Sequence, residues 1–116
     1  MPTIDVLVGN LRQRLAVDTG CELTVLSPAL AAELRIDLAK PVRVDRLAGV
    51  GLSAPVPTVA LPPITVGRAT VPNLLGHIFQ LPAPLRVDGL LGLNFLSRFR
   101  ITFEFDTATL VLRSLQ

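Results

Sequence analysis

Tryptophan and tyrosine are absent from this chain, which has a single cysteine, Cys21, and a single histidine, His77. One cysteine excludes an intramolecular disulfide, and no cluster of cysteine and histidine is available to hold zinc. The basic residues are nearly all arginine and lie scattered, without the runs and interleaved aromatic residues of a nucleic-acid surface. We therefore expect no metal, no other cofactor and no nucleic-acid partner, and we expect a structural role for His77.

Long hydrophobic runs are also missing, so no segment is long enough to cross a membrane. The start, MPTIDVLVG, lacks the basic region, the long apolar segment and the cleavage site of a signal peptide. These absences predict a cytoplasmic protein without a membrane segment. What is present is a chain of 116 residues, 50% of them hydrophobic, which fits one compact domain over residues 1–116 with a sizeable core.

Short apolar runs broken by glycine, proline and charged residues are typical of an all-β barrel or sandwich. The runs at 4–9 and 11–17, joined by Gly9-Asn10, predict a hairpin that delivers Asp18 at its far end. The other predicted strands lie at 24–26, 64–67, 69–79 and 87–92, with hairpins over 42–61 and over 100–106 and 109–115.

Two segments predict short helices. Ser27 followed by Pro28 is an N-cap with proline at the first helical position, and the residues after it favour a helix over 28–35. The run NFLSRF at 94–99 predicts one or two helical turns, and the proline-rich run at 80–86 predicts a loop.

Asp18, Thr19 and Gly20 interrupt the mostly apolar stretch LAVDTGCELTVLS with a carboxylate. A carboxylate in this position either caps the turn of its own loop or performs chemistry in a poorly solvated cleft. Two further glycines, Gly49 and Gly51, interrupt the predicted hairpin over 42–61. They indicate either an ordinary hairpin or a mobile tip, a flap, that closes over a site.

These motifs together resemble the retropepsin-like aspartic proteases, the single-domain relatives of pepsin. The stretch VDTGCELTVLS is similar to the family's active-site loop, and DGLLGLNFL is similar to its apolar-apolar-Gly segment with the following helix. AGVG lies between them, where the family has its flap. The paired motifs are more specific than Asp-Thr-Gly alone. The resemblance implies an all-β, retropepsin-like acid protease barrel with one or two short helices, completed as a symmetric homodimer.

The activity that the resemblance implies is that of an aspartic endopeptidase acting on a peptide or protein substrate. Two adjacent carboxylates cannot both ionise, so they share one proton; the ionised one activates a water and the other donates to the scissile carbonyl oxygen. The chain has one Asp-Thr-Gly, since neither Asp88 nor Asp106 begins a second. The implied partner is therefore a second copy, with Asp18 from each subunit forming the dyad.

The resemblance also implies roles for other residues. Thr19 would bond across the subunit interface, and Gly20 would let backbone approach the dyad. The residues with implied substrate-binding roles are Cys21, Glu22, Gly49, Val50, Gly51, Asp88 and Leu90. The candidates for pocket walls are Leu23, Val25, Leu90 and the loop over 82–88. Gly92 would be a packing glycine behind the active-site loop, and Asn94 a buried polar brace.

Alternative interpretations stay open at this level. Cys21 also fits a passive buried thiol, and Asp88 a turn or surface position. The whole chain also fits a catalytically silent module with this fold that dimerises or binds peptides. A protease that processes only its own precursor is a third interpretation.

Overall fold

The computed structural model describes residues 2–47 and 55–115, and in these ranges the chain forms eleven short strands and two short α-helices. The strands are β1 (Thr3–Val8), β2 (Leu11–Val17), β3 (Thr24–Leu26), β4 (Arg43–Arg46), β5 (Pro55–Ala60), β6 (Ile64–Val66), β7 (Ala69–Val71), β8 (Leu75–Ile78), β9 (Gly89–Leu91), β10 (Phe99–Glu104) and β11 (Thr109–Ser114). The helices are α1 (Pro28–Glu33) and α2 (Leu93–Leu96), and a 3₁₀ turn covers Ala83–Leu85. The prediction of an all-β chain with one or two short helices is confirmed.

Nine strands form one sheet in the order β4-β5-β8-β3-β9-β2-β1-β6-β7, and β10 and β11 form a separate two-stranded sheet. Strand β9 lies between β2, to which it runs parallel, and β3, to which it runs antiparallel. The register places Val17 beside Leu91 and Val25 beside Leu90. The end of β2, where Asp18 follows, therefore lies beside the end of β9.

The hairpin of β1 and β2 forms as the alternation of the sequence predicts. Val8 pairs with Leu11 across a tight turn, and Gly9 in this turn has a φ of 59°. That angle lies in the left-handed region, which glycine adopts without a steric penalty from a Cβ atom. On the exposed face of the hairpin, Arg14 pairs with Asp5 at 2.9 Å. The turn fixes the register of the strand that ends at the Asp-Thr-Gly loop.

The prediction of one continuous strand over 69–79 is wrong. The structure has two strands here, because Pro72 has no amide hydrogen for a sheet and Asn73 takes a φ of 60°. The break redirects the chain, so that β7 pairs with β6 while β8 pairs with β3 and β5. This segment thus contributes one strand to the edge of the sheet, β7, and one to its middle, β8.

Helix α1 begins as predicted and ends earlier than predicted. Oγ of Ser27 accepts a hydrogen bond of 3.1 Å from the N–H of Leu30, and Pro28 occupies the first turn. Arg35 takes a φ of 58°, which ends the helical geometry, so α1 stops at Glu33 and not at residue 35. No helix in the described ranges is long and apolar enough to cross a membrane.

The central strands bury side chains on both of their faces. Neighbouring residues on one strand point to opposite faces, and here each face meets a different hydrophobic cluster. The larger cluster includes Leu15, Leu26, Leu91, Ile64 and Phe95, and the smaller one consists of Ala16, Val25, Leu81 and Leu90. Strands β2, β3 and β9 are therefore held from both sides, which gives the loop after β2 a rigid base.

The hairpin of β10 and β11 is confirmed, and it stands apart from the large sheet. Phe99, Ile101 and Leu112 pack against the larger cluster. Two other apolar side chains of this region face solvent: Phe105 is 84% exposed and Leu115 is 60% exposed. The hairpin thus combines a face fixed to the core with apolar side chains that the described chain leaves uncovered.

Candidate active site

Asp18 follows directly after β2, in the loop that leads to β3. Its N–H donates a hydrogen bond of 3.1 Å to the carbonyl oxygen of Leu91, which continues the pairing of β2 with β9 by one residue. The residue is half-buried, whereas Thr19 and Gly20 are exposed. The loop therefore presents the carboxylate at the surface from a backbone that the sheet fixes.

The carboxylate of Asp18 organises its own loop. Oδ1 accepts a hydrogen bond of 2.8 Å from the N–H of Gly20, and the N–H of Cys21 donates to the carbonyl oxygen of Asp18 at 3.3 Å. A Cβ atom on Gly20 would lie 3.1 Å from Oδ1, so a larger residue would crowd this bond. The capping that one sequence interpretation predicts is present. It leaves the second oxygen, Oδ2, outside the turn.

Cys21 approaches that second oxygen. Its Sγ lies 3.5 Å from Oδ2 of Asp18 and is oriented to donate to it. Burial, and then the charge of Asp18 and the hydrogen bond to it, raise the pKa of the Cys21 thiol to about 11. The thiol therefore stays protonated at neutral pH. Nucleophilic chemistry needs the thiolate, so Cys21 is a donor to the carboxylate and not a nucleophile.

Gly92 allows β9 and α2 to pack behind the active-site loop. A Cβ atom on Gly92 would lie 2.6 Å from the carbonyl carbon and oxygen of Leu23 and 2.9 Å from the amide nitrogen of Thr24. Backbone atoms at these distances cannot move aside without displacing the loop. Gly92 thus lies where the resemblance implies a packing glycine.

The first residues of α2 hold the same loop by its carbonyl groups. The N–H of Leu93 donates to the carbonyl oxygen of Cys21 at 2.8 Å, and the N–H of Asn94 donates to that of Glu22 at 2.9 Å. These are N–H groups at the start of a helix, which have no partner within the helix. They fix the chain that follows Asp18 and satisfy the helix end at the same time.

The side chain of Asn94 braces three segments. Its Oδ1 accepts from the N–H of Thr24 at 3.0 Å and from Oγ1 of Thr24 at 2.9 Å, while its Nδ2 donates to the carbonyl oxygen of Leu75 at 2.7 Å. Oγ1 of Thr24 in turn accepts from the N–H of Gly92 at 3.1 Å. The loop, α2 and β8 are thus joined by one hydrogen-bonded network.

The other candidate site residues named from the sequence differ in their exposure. Glu22 and Asp88 are exposed, Leu23 is half-buried, and Val25 and Leu90 are buried in the smaller cluster. The loop over 82–88 contains the 3₁₀ turn and is mostly exposed. The flap residues Gly49, Val50 and Gly51 lie outside the described residues.

A cleft beside Glu22 and Leu23 includes Asp45, a residue that the sequence does not single out. It has a volume of about 650 Å³, and its walls also include Asp45, His77 and Asn94. The structural role expected for His77 agrees with its burial, but its partner Asp45 is not predictable from the local sequence. The pair joins β4 to β8, which are not neighbours in the sheet. Strand alternation indicates only which face Asp45 occupies.

Residues 2–47 and 55–115 contain no group of three or more His, Cys, Asp or Glu side chains arranged to hold a metal ion. The chemistry of the Asp18 loop is that of a carboxylate with backbone and thiol donors around it.

The solved structures that share this fold include the following two. A retropepsin-like aspartic protease from Rickettsia conorii superposes with a TM-score of 0.73 and 26% identity, covering 95% of this chain and 80% of the other. The retroviral protease-like domain of Ddi1 from Leishmania major gives a TM-score of 0.63 and 14% identity, covering 100% of this chain and 94% of the other. The second similarity shows the fold alone. A comparison with curated proteins found no match.

The fold and the loop after β2 define a retropepsin-like architecture. A sequence model described as aspartyl protease matches residues 4–95. The chain belongs to this aspartyl protease family.

Proposed function

We propose that two copies of this chain form an aspartic endopeptidase, in which Asp18 of each copy contributes one carboxylate of the catalytic dyad. The observation that carries the proposal is the loop after β2. In this loop, Oδ1 of Asp18 accepts a hydrogen bond of 2.8 Å from the N–H of Gly20, and α2 holds the residues that follow through hydrogen bonds to their carbonyl groups. Membership of the aspartyl protease family supports the same reaction class.

In the proposed reaction, one carboxylate is ionised and the other keeps the shared proton. The ionised carboxylate removes a proton from a water that lies between the two, and this water attacks the scissile carbonyl carbon. The protonated carboxylate donates to the carbonyl oxygen. The proton taken from the water then passes to the leaving amine, and a hydroxyl of the tetrahedral intermediate returns a proton to the other carboxylate as the C–N bond breaks. The bond is thus cut without a covalent enzyme intermediate.

Other residues have proposed supporting roles. The exposed Thr19 bonds across the subunit interface, and Gly20 lets backbone approach the dyad and the substrate. Substrate contacts are assigned to Cys21, Glu22, Gly49, Val50, Gly51, Asp88 and Leu90. Leu90 is buried, so its contribution is to shape the floor of the site together with the smaller cluster.

The second copy is required because the sequence holds one Asp-Thr-Gly. We assign its docking to the hairpin of β10 and β11. Within the described residues this hairpin forms its own two-stranded sheet, apart from the large one, and it exposes Phe105 and Leu115. Sheet edges and apolar side chains of this kind favour association with a symmetric copy.

The test is cleavage of a diverse peptide pool at mildly acidic pH and high protein concentration, comparing the wild type with Asp18→Asn. Asparagine keeps the shape and the bond to Gly20 but cannot act as the base, so we expect all cuts to disappear. Circular dichroism and sedimentation of the variant control for fold and assembly. Cuts that persist in Asp18→Asn would contradict the proposal. No cut by a folded wild-type dimer would favour the catalytically silent module.

A further inference from the structure

A four-residue polar network links β4, β5 and β8, three neighbouring strands at one edge of the large sheet. Oδ2 of Asp45 on β4 lies 2.9 Å from Nε2 of His77 on β8 and accepts from Oγ1 of Thr58 on β5 at 2.9 Å. Since a carboxylate only accepts, the ring nitrogen of His77 is the donor. Nε of Arg43 donates to both oxygens of Asp45, at 3.0 and 3.1 Å.

The sheet register explains why this network spans three strands. Arg43 lies beside Thr58, and Thr58 lies beside His77, so the three residues form one row across β4, β5 and β8. Asp45 stands two positions further along β4, on the same face as Arg43. Its carboxylate therefore reaches past the neighbouring strand to the next one.

Two members of the network are buried, and its carboxylate stays ionised. Thr58 is fully buried and His77 is 8% exposed. The hydrogen bond from His77, then that from Thr58, and the adjacent Arg43 lower the pKa of Asp45 to about 2. Asp45 consequently keeps its charge, and its three donors keep their acceptor, at the mildly acidic pH where a carboxylate dyad works.

The network also lies beside the candidate active site. His77 is the register partner of Val25 on β3, and β3 follows directly after Glu22 and Leu23. Asp45 and His77 line the same cleft as Glu22 and Leu23, which come shortly after Asp18 in the chain. An extended substrate whose scissile bond lies at the carboxylate of Asp18 would place residues a few positions from that bond in this cleft.

We propose that Asp45 and His77 are positioning residues for the proteolysis: the bond between them holds β4 as a wall of the cleft that receives these outlying substrate residues. This inference rests on the proposed function. It predicts that loss of the bond weakens binding of long substrates and leaves the chemistry at the cleaved bond unchanged. A purely structural pair would not distinguish long substrates from short ones.

The experiment compares a peptide with about four residues on each side of the cleaved bond and a truncated form with about two. For Asp45→Ala, we expect KM for the long peptide to rise about tenfold, as loss of a charged hydrogen bond implies, with kcat within about twofold. KM for the truncated peptide should not change. Asp45→Asn keeps an acceptor for His77 and should restore part of the loss.

Thr70→Val is the matched control. It removes the exposed 2.8 Å bond between the hydroxyls of Thr65 and Thr70, which also joins two strands but lies on the β6–β7 hairpin, away from the cleft. Its KM for both peptides should equal that of the wild type. An unchanged KM of Asp45→Ala for the long peptide, or an equal rise for both peptides, would overturn the inference.

Amide hydrogen exchange separates this inference from the proposed function. Without any substrate, Asp45→Ala should exchange faster than the wild type across Arg43–Arg46, because β4 has lost its link to β8. If the wild type cleaves neither peptide, the proposed function is wrong. In that case, an unchanged amide exchange rate across Arg43–Arg46 in Asp45→Ala would also overturn the role of the pair in holding β4. A faster rate would support that role.

Discussion

The thiol of Cys21 lies 3.5 Å from Oδ2 of Asp18, so the side chain that follows the Asp-Thr-Gly triplet donates to the carboxylate of that triplet. The other oxygen of Asp18 is held by the N–H of Gly20. Both oxygens thus have donors from the same short loop. In the proposed dimer, a carboxylate held at both of its oxygens would lose little freedom on binding substrate and the partner loop, which would favour catalysis.

Replacing Cys21 by alanine should change how stability depends on pH. The folded-state pKa of about 11 lies above the ordinary value of 9.0, so the folded protein keeps the thiol proton after the unfolded chain has lost it. The contribution of Cys21 to the free energy of unfolding is therefore complete below about pH 9 and is lost as pH rises through 11. We expect the wild type to lose stability relative to Cys21→Ala over this range.

Urea unfolding of both proteins at a series of pH values from neutral to strongly alkaline measures this difference. The arginines and the other titrating groups are common to both proteins, so the difference curve isolates the thiol. A constant difference across the alkaline range would show that neither burial nor Asp18 raises the pKa of the thiol.

Substituting Gly92 by alanine should destabilise the fold by about 3 kcal/mol or more, at the upper end of overpacking effects. The added Cβ atom would meet the backbone of Leu23 at 2.6 Å, and backbone cannot rotate out of the way. Activity should fall further than stability predicts, because the displaced segment leads from Asp18.

Gly67→Ala is a suitable control for this prediction. Gly67 has a φ of 58°, and a Cβ atom added to it would meet nothing within 4 Å, so alanine there suffers backbone strain alone. We expect a loss of about 1–2 kcal/mol and normal activity after correction for the folded fraction. Denaturant unfolding and cleavage rates of both variants provide the comparison, and equal effects would contradict the packing role of Gly92.

Phe105→Glu should weaken the proposed dimer. Phe105 is 84% exposed and contacts Phe103 edge-on, with 4.7 Å between the ring centroids. A charge at this position costs the monomer little, but it would be buried in a docked pair. We expect the dissociation constant to rise by at least about tenfold, equivalent to about 1.4 kcal/mol, and the rate to fall more steeply on dilution.

Leu38→Glu provides the control, since Leu38 is also an exposed apolar residue but lies between α1 and β4. Sedimentation at several concentrations, with cleavage rates from the same samples, measures both effects. If Phe105→Glu and Leu38→Glu assemble equally well, the second copy docks elsewhere.

The sequence predicts the strands well where the alternation of apolar and polar residues is clean. The β1–β2 hairpin and the β10–β11 hairpin are examples, and the cap at Ser27 marks the start of α1. The prediction fails at 69–79, where a mostly apolar run indicates one strand although the chain breaks at Pro72. There the pairing of each half with a different strand outweighs local pattern.

The residues of the candidate site can likewise be divided into those that the sequence predicts and those that it does not. Asp18, Gly92 and Asn94 are visible because their residue types follow a spacing that the family shares. The pair of Asp45 and His77 is not visible, because it depends on the register of three strands across 32 positions of sequence. Contacts of this length are fixed by the tertiary fold and leave no periodic signal in either segment.

The hydrogen bonds of Asn94 have a consequence for the order in which the chain is synthesised and folds. The active-site loop receives its support from a side chain 70 positions further along, and from β8, which lies between them in sequence. During synthesis, Asp18 leaves the ribosome long before Asn94 is made. The carboxylate is then carried on an unsupported segment, so in the proposed enzyme the growing chain has no competent site with which to cleave itself or its neighbours. Under the proposed function, proteolytic activity arises only after the last third of the chain has folded back onto the first.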